Sequence, residues 1–237
     1  MVFRQLYSGS KGNMYEVTFC NGKRLMIEAG VVWSELLKAL KHNFDGIQCC
    51  FASHGDLDHA MSIKKVMQAG VDLYASEETF DSQGLLNERR AKVVKDKDLV
   101  RLDGFDVYCF ATNHDREGSL GFVVREVSTN EYLLFATDTR SITPEFTMQF
   151  SIVCIECSYN ETNLSNRVKA GEINEEYAKR LQDSHMSKQT AINYLSTFCN
   201  LRKCREIHLL HMSSSNIDNE KTRHEIEGIF MIRTEIV

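Results

Sequence analysis

Six residues, His54-Gly55-Asp56-Leu57-Asp58-His59, hold four side chains able to ligate a metal, directly after the apolar run Ile47-Gln48-Cys49-Cys50-Phe51-Ala52. Imidazole nitrogen and carboxylate oxygen suit zinc, iron and manganese, whereas structural zinc and iron–sulfur sites favour thiolates, and this loop has none. Alternate residues of an extended loop project to opposite sides, so His54, Asp56 and Asp58 can share one side and His59 the neighbouring side where the chain turns. One short loop could then serve two adjacent ions. The same residues also read as a polar turn in which Asp58 caps a helix beginning at Ala60.

Further along, isolated His and Asp residues each follow an apolar, strand-like run. Val107-Tyr108-Cys109-Phe110 leads to His114, Tyr132-Leu133-Leu134-Phe135-Ala136-Thr137 to Asp138, and Ile207-His208-Leu209-Leu210 to His211. Loops at strand ends carry the chemistry of layered α/β folds because the sheet fixes their position. Each residue alone reads as a turn aspartate or a hydrogen-bonded histidine. Their recurrence after successive strands is the signal.

In this order the residues resemble the metallo-β-lactamase-fold hydrolases, whose loop reads His-x-His-x-Asp-His and is followed by a distant His, an Asp after a strand and a late His. Ser8-Gly9-Ser10-Lys11-Gly12-Asn13, Ile27-Glu28-Ala29-Gly30, Ala136-Thr137-Asp138-Thr139 and His185-Met186-Ser187 are similar to the small YycJ/WalJ-like branch, related to RNase Z and RNase J. The likeness runs over nearly the whole chain. Two positions depart from it: Asp56 stands where the family usually has His, and Glu28 where it usually has an Asp that supports the site from behind. Carboxylate in place of imidazole hardens a site and moves its preference towards manganese or magnesium relative to zinc.

The resemblance implies His54, Asp56 and His114 around one ion, Asp58, His59 and His211 around a second, and Asp138 bridging them. Two divalent ions, zinc or manganese foremost, with magnesium or iron as alternatives, would then activate a shared hydroxide oriented by Asp58. A phosphodiester, being anionic, needs such help more than a lactam or thioester does. If Asp56 faces away, a single ion would be held.

His185 precedes a helical pattern over Lys188–Phe198 with Ser187 as a candidate N-cap. A histidine there could donate a proton to a leaving alkoxide, as the similar nuclease branches imply, or could simply cap or face solvent. The Ser8–Asn13 segment is first of all turn chemistry, yet exposed amides near Lys11 could receive a phosphate, which makes Ser10 and Asn13 candidate substrate-binding residues. Arg140 is a third candidate, as a phosphate clamp. His208 reads as packed, and His42 and His224 as solvated.

Composition bounds the rest. At 237 residues and 43% hydrophobic content the chain can bury a continuous core, and no linker or repeat divides it, so a single domain over 1–237 is expected. No run suits a bilayer or a signal peptide, which points to a cytoplasmic protein without membrane association. The eight cysteines are scattered through apolar runs and read as reduced, packed thiols, Cys154-Ile155-Glu156-Cys157 included. A net charge of −5 counts against a polyanionic substrate, although Arg89-Arg90-Ala91-Lys92 and Arg202-Lys203-Cys204-Arg205 form basic runs and metals would neutralise site carboxylates. Oligomeric state is not legible.

The elements that must position these residues are strand-like runs at 2–7, 14–19, 24–28 and 47–52 before a helix at 60–69, then runs at 106–110, 120–125, 132–137 and 152–156 before helices at 175–181 and 188–198; the polar 160–171 stretch reads as a loop. Two successions of strands then helices suit an α/β (α+β) fold, a four-layer αβ/βα sandwich of metallo-β-lactamase type. The expected function is a metal-dependent hydrolase, foremost a phosphodiesterase or nuclease on nucleic acid. A hydrolase of a small phosphodiester or ester metabolite, and a non-catalytic metal-binding homologue, stay open.

Overall fold

The computed structural model describes residues 1–237, which form two compact units: Met1–Ala111 with Arg116–Glu131 and Val237, and Thr112–Asp115 with Tyr132–Ile236.

The first unit runs β1 (Val2–Tyr7), β2 (Met14–Thr18), β3 (Arg24–Ile27), α1 (Trp33–Ala39), β4 (Ile47–Phe51), α2 (Leu57–Ala60), α3 (Ile63–Gln68), β5 (Asp72–Ala75), α4 (Glu77–Ser82), β6 (Ala91–Val93), β7 (Leu99–Arg101), β8 (Phe105–Ala111) and β9 (Leu120–Glu126). Strands β1 to β6 make one sheet in sequence order, antiparallel through β3 and parallel from β3 to β6. Short, β-rich apolar segments separated by helices give this parallel succession, because a crossover must return the chain to the same edge. Met26, Cys50, Leu36, Val66 and Phe80 share one buried cluster. Strands β7, β8 and β9 pair antiparallel.

The helix expected over 60–69 is instead two short ones. Ser62 lies at the break, donating from Oγ to the Val31 carbonyl at 2.6 Å and from its N–H to the Ala29 carbonyl at 2.8 Å, and these tertiary bonds compete with continuation of the helix. The N-cap of α2 is Asp56, not Asp58, and it makes no side-chain capping bond; Asp58 lies within the first turn.

The second unit runs β10 (Glu131–Ala136), β11 (Ile152–Glu156), α5 (Glu161–Lys169), α6 (Glu175–Ser184), α7 (Lys188–Thr197), β12 (Glu206–Leu210), α8 (Asn219–Phe230) and β13 (Arg233–Glu235). Its strands pair in parallel in chain order. All five residues of β11 are buried, the unbroken run that a strand covered on both faces requires. The stretch read as a loop at 160–171 contains α5: Asn160 Oδ1 accepts from the Asn163 N–H at 3.0 Å, and Leu164 packs with Tyr159, Ala178 and Leu181. A single buried side chain and a good cap were enough, and neither makes a visible apolar stripe. No helix is long and apolar enough to cross a membrane.

Candidate functional site

In the first unit, β3 and β4 end level with each other, Ile27 opposite Phe51, so Glu28 and the Ser53–His59 loop leave the sheet at the same edge. Glu28 is fully buried with a left-handed φ of 65°, a conformation that costs a non-glycine residue free energy and tends to persist where function demands it. Its carboxylate accepts from the Ser53 N–H at 3.2 and 3.3 Å, and Oε1 lies 3.6 Å from His59 Nδ1, behind the imidazole.

Asn13, also fully buried, fixes the other side of that ring. Its Oδ1 accepts from the Gly9 N–H at 2.8 Å and from the Tyr15 hydroxyl at 3.0 Å. Since an amide N–H can only donate, the Asn13 Nδ2 must point the other way, at the Asp58 carbonyl (3.0 Å) and His59 Nε2 (3.0 Å). His59 Nε2 is therefore an acceptor and Nδ1 carries the proton. The Ser53 hydroxyl lies 2.9 Å from His54 Nδ1, and His54 Nε2 is 3.7 Å from Asp56 Oδ2; Asp58 Oδ2 is 3.5 Å from His59 Nε2, and the two rings lie 4.2 Å apart. Two donors on one ion at about 2.1 Å are separated by about 3–3.5 Å, so these pairs are close to coordination spacing. The other Asp56 oxygen, Oδ1, lies 2.6 Å from Arg116 Nε.

In the second unit the C-terminal ends of three neighbouring parallel strands deliver the chemistry, as open α/β sheets do. Asp138 follows β10, Glu156 ends β11, and His211 follows β12, with Ala136 level with Ile155 and Glu156 with Leu210. Asp138 and His211 have left-handed φ of 44° and 51°. Asp138, Glu156, His185 and His211 place one ligand atom each within 4.8 Å of one another.

His185 ends α6, its N–H donating to the Leu181 carbonyl. The segment after it is zipped to β11's extension by the Ser158 and Lys188 N–H groups, which donate to Met186 and Tyr159 carbonyls. Its Nδ1 meets Glu156 Oε1 at 2.7 Å, its ring stacks on His211 at 5.2 Å, and the Thr139 N–H donates to Glu156 Oε2 at 2.6 Å. His114 donates from Nδ1 to the Ser184 carbonyl at 3.2 Å, which makes Nε2 the basic nitrogen. The His114 segment is held by Asn113 N–H to Thr139 Oγ1 and Arg140 N–H to the Asn113 carbonyl, both 2.9 Å.

Burial opposes charge on Glu156, yet His185 beside it and its hydrogen bonds keep its pKa below the ordinary carboxylate value. Burial likewise works against a charged His185, and the Glu156 carboxylate overrides it and raises the imidazole pKa. Two buried carboxylates, the buried His211 imidazole and the half-buried His185 this close form a donor set that suits a borderline or hard divalent cation, and uncompensated anions there would be costly.

Glu156 is the residue that the sequence reading passed over, since it sits inside the Cys154–Cys157 spacing. Both of those cysteines are free and buried, and burial pushes the Cys157 thiol up, as expected of packed thiols. Ser187 caps α7 by accepting from the Thr190 N–H at 3.0 Å. His208 is buried, 3.2 Å from Glu206. Ser10 and Arg140 are exposed, and Asn13 faces inward rather than towards solvent.

No protein-family model matches the sequence and no curated protein matches it. Solved structures do match. The metallo-β-lactamase fold protein YhfI from Bacillus subtilis superposes with a TM-score of 0.73 at 14% identity, over 99% of this chain and 95% of that one. A diphosphatase of the PhnP family gives 0.68 at 14%, over 99% and 94%, and the short form of human tRNase Z 0.64 at 14%, over 90% and 93%. The chain has the metallo-β-lactamase fold, as its motifs implied.

Proposed function

We propose that this chain is a metal-dependent phosphodiesterase acting on nucleic acid, with His54, Asp56, Asp58, His59, His114, Asp138 and His211 as metal ligands, Asp58 and His185 as catalytic residues, and zinc or manganese as the ions. The observation that carries this reading is the cluster of Asp138, Glu156 and His211, buried at the ends of adjacent parallel strands, with the half-buried His185 at the end of α6. The fold of the diphosphatase and of tRNase Z adds support, since both names denote hydrolysis at phosphorus. Divalent ions held by these residues would supply a lowered pKa for the attacking water and stabilisation of charge on the attacked phosphoryl oxygens.

The side chains supply the remaining steps. Asp58, with its carboxylate partly open to solvent, accepts the proton of the attacking water. His185, whose Nδ1 meets Glu156 and whose pKa that carboxylate raises, would present Nε2 as the proton donor to the leaving alkoxide. Glu28 and Asn13 hold the His59 tautomer that keeps Nε2 basic.

The net charge of −5 favours a second reading, a small phosphodiester in place of a polyanion. Hydrolysis of labelled DNA and RNA compared with cyclic dinucleotides, across manganese, zinc and magnesium, decides between them. His59→Ala is expected to lose metal-dependent turnover with the fold intact, and His185→Ala to lose turnover while keeping metal. Unchanged activity in His59→Ala refutes the ligand assignment. Absence of bound transition metal and of bis-p-nitrophenyl phosphate hydrolysis would leave a non-catalytic homologue.

A further inference from the structure

Within the first unit the His54–His59 loop opens onto a cleft of about 550 Å³, walled by Asp56, Asp58, Glu78, Ser82, Gln83 and Arg116 among others. Arg116 is the single cationic side chain lining it. Its Nε is engaged by Asp56 Oδ1 at 2.6 Å, and the side chain is 59% exposed. The guanidinium makes no other side-chain hydrogen bond, which leaves the donors on its Nη1–Nη2 edge uncommitted. That edge is the fork which matches two oxygens of a phosphate.

Asp56 ties this arginine to the metal-ligand loop. One of its oxygens meets Arg116 and the other lies 3.7 Å from His54 Nε2. A carboxylate can serve two cations at once, one through each oxygen. An imidazole at position 56 could not: with one nitrogen on an ion the other carries a proton, which repels a guanidinium. The departure from the family's usual histidine therefore has a structural counterpart seven elements further on, in the loop after β8.

We infer that Arg116, oriented by Asp56, is the specificity-determining contact of this site, binding the non-bridging oxygens of an anionic phosphodiester. The inference rests on the phosphodiesterase reading above. Glu78 and Glu117, which also line the cleft, repel an anion placed elsewhere in it and so confine the phosphate to the arginine. Arg116 touches substrate in this assignment. Asp56 does not touch substrate: one oxygen orients Arg116, and the other faces the ligand loop.

The test compares two thymidine dinucleotides on manganese-loaded protein, one joined by a charged phosphorothioate and one by a neutral methylphosphonate, with bound manganese measured by mass spectrometry. A hydrogen bond between charged groups is worth enough that Arg116→Gln is expected to weaken phosphorothioate binding about 10- to 100-fold. Methylphosphonate binding and manganese content stay as in the parent, and Arg116→Lys falls between, since an ammonium cannot span the non-bridging oxygen and sulfur together. Equal weakening for both dinucleotides, no weakening for the charged one, or loss of manganese in Arg116→Gln each overturns the clamp. If the parent hydrolyses bis-p-nitrophenyl phosphate while the clamp fails, the functional reading stands alone. A parent that holds manganese but neither binds the phosphorothioate nor hydrolyses that ester overturns both.

Discussion

His185 Nδ1 and Glu156 Oε1 meet at 2.7 Å, a hydrogen bond between a residue that ends α6 and one that ends β11. The sequence separates them by an entire helical hairpin, and the contact orients the imidazole and raises its pKa. Its consequence is measurable before any metal is added.

The His185 pKa is raised above its ordinary 6.5, so its contribution to stability is complete below pH 6.5 and is lost as pH rises through the folded value. The Glu156 pKa is held below 4.5, so its contribution is complete above pH 4.5 and is lost as pH falls through the folded value. The pair thus stabilises the metal-free protein most between pH 4.5 and 6.5. Melting temperature of the chelator-treated protein should decline above pH 6.5, and Glu156→Gln should flatten that decline. A parent whose melting temperature keeps rising from pH 6 to 8 would contradict the assignment.

Gly30 is the second position with a sharp consequence. A Cβ there would lie 1.7 Å from the Asp58 carbonyl oxygen and 2.5 Å from the His59 nitrogen, both backbone atoms that cannot rotate away. Gly30→Ala must push the α2 loop off the β3 edge. We expect a loss of about 2–4 kcal/mol in denaturant unfolding, in the range of a strongly overpacked core, together with weaker metal binding by titration calorimetry. Native-like stability in this variant would mean that the loop does not pack against Gly30 as described.

How much of this was legible in the sequence follows from the kind of signal each residue leaves. His54, Asp138 and His211 follow apolar runs that become β4, β10 and β12, and strand ends are visible as a change from apolar to polar. Glu156 follows an equally apolar run but sits between two cysteines, whose thiol spacing is the more conspicuous local pattern; its own signal is a charged residue closing an otherwise unbroken apolar strand. Asn13 looked like turn chemistry because its partners, Gly9 and Tyr15 on one side and Asp58 and His59 on the other, are defined only by the fold. The contact of Asp56 with Arg116 spans 60 positions and leaves no local pattern at all. The short helices α1 and α4 carry too few turns for periodicity to rise above their surroundings.

Asn13 offers a prediction that separates positioning from substrate contact. Asn13→Asp keeps the acceptor for Gly9 and Tyr15 but replaces the amide donor with an oxygen that faces His59 Nε2. The imidazole would then be favoured as the Nε2-protonated tautomer, the wrong one for ligation through that nitrogen. Metal affinity should fall about 10- to 100-fold, the range seen when partners behind a ligand are lost. Long-range proton–nitrogen NMR of the metal-free protein should show the tautomer reversed. A variant with altered KM but unchanged metal affinity and tautomer would instead support the direct substrate role expected from the sequence.

Asp138 carries the last prediction, because its backbone and its side chain respond in opposite ways. Its φ of 44° is a conformation that asparagine tolerates better than most residues. Asp138→Asn keeps the carbonyl oxygen that accepts from Thr137 Oγ1 at 2.9 Å and removes one of two carboxylates from the cluster with Glu156. The metal-free variant should therefore be at least as stable as the metal-free parent. A ligand that binds only the folded state stabilises it by mass action, about 2.7 kcal/mol at a hundredfold excess over Kd, so manganese or zinc should raise the melting temperature of the parent by several degrees. That rise should shrink or vanish in Asp138→Asn, because a neutral amide is a weaker ligand for a divalent ion. Melting curves of both proteins with and without added metal make the comparison. A metal-free variant that is clearly less stable than its parent, with the metal-induced rise intact, would place Asp138 in the scaffold and remove it from the ligand set.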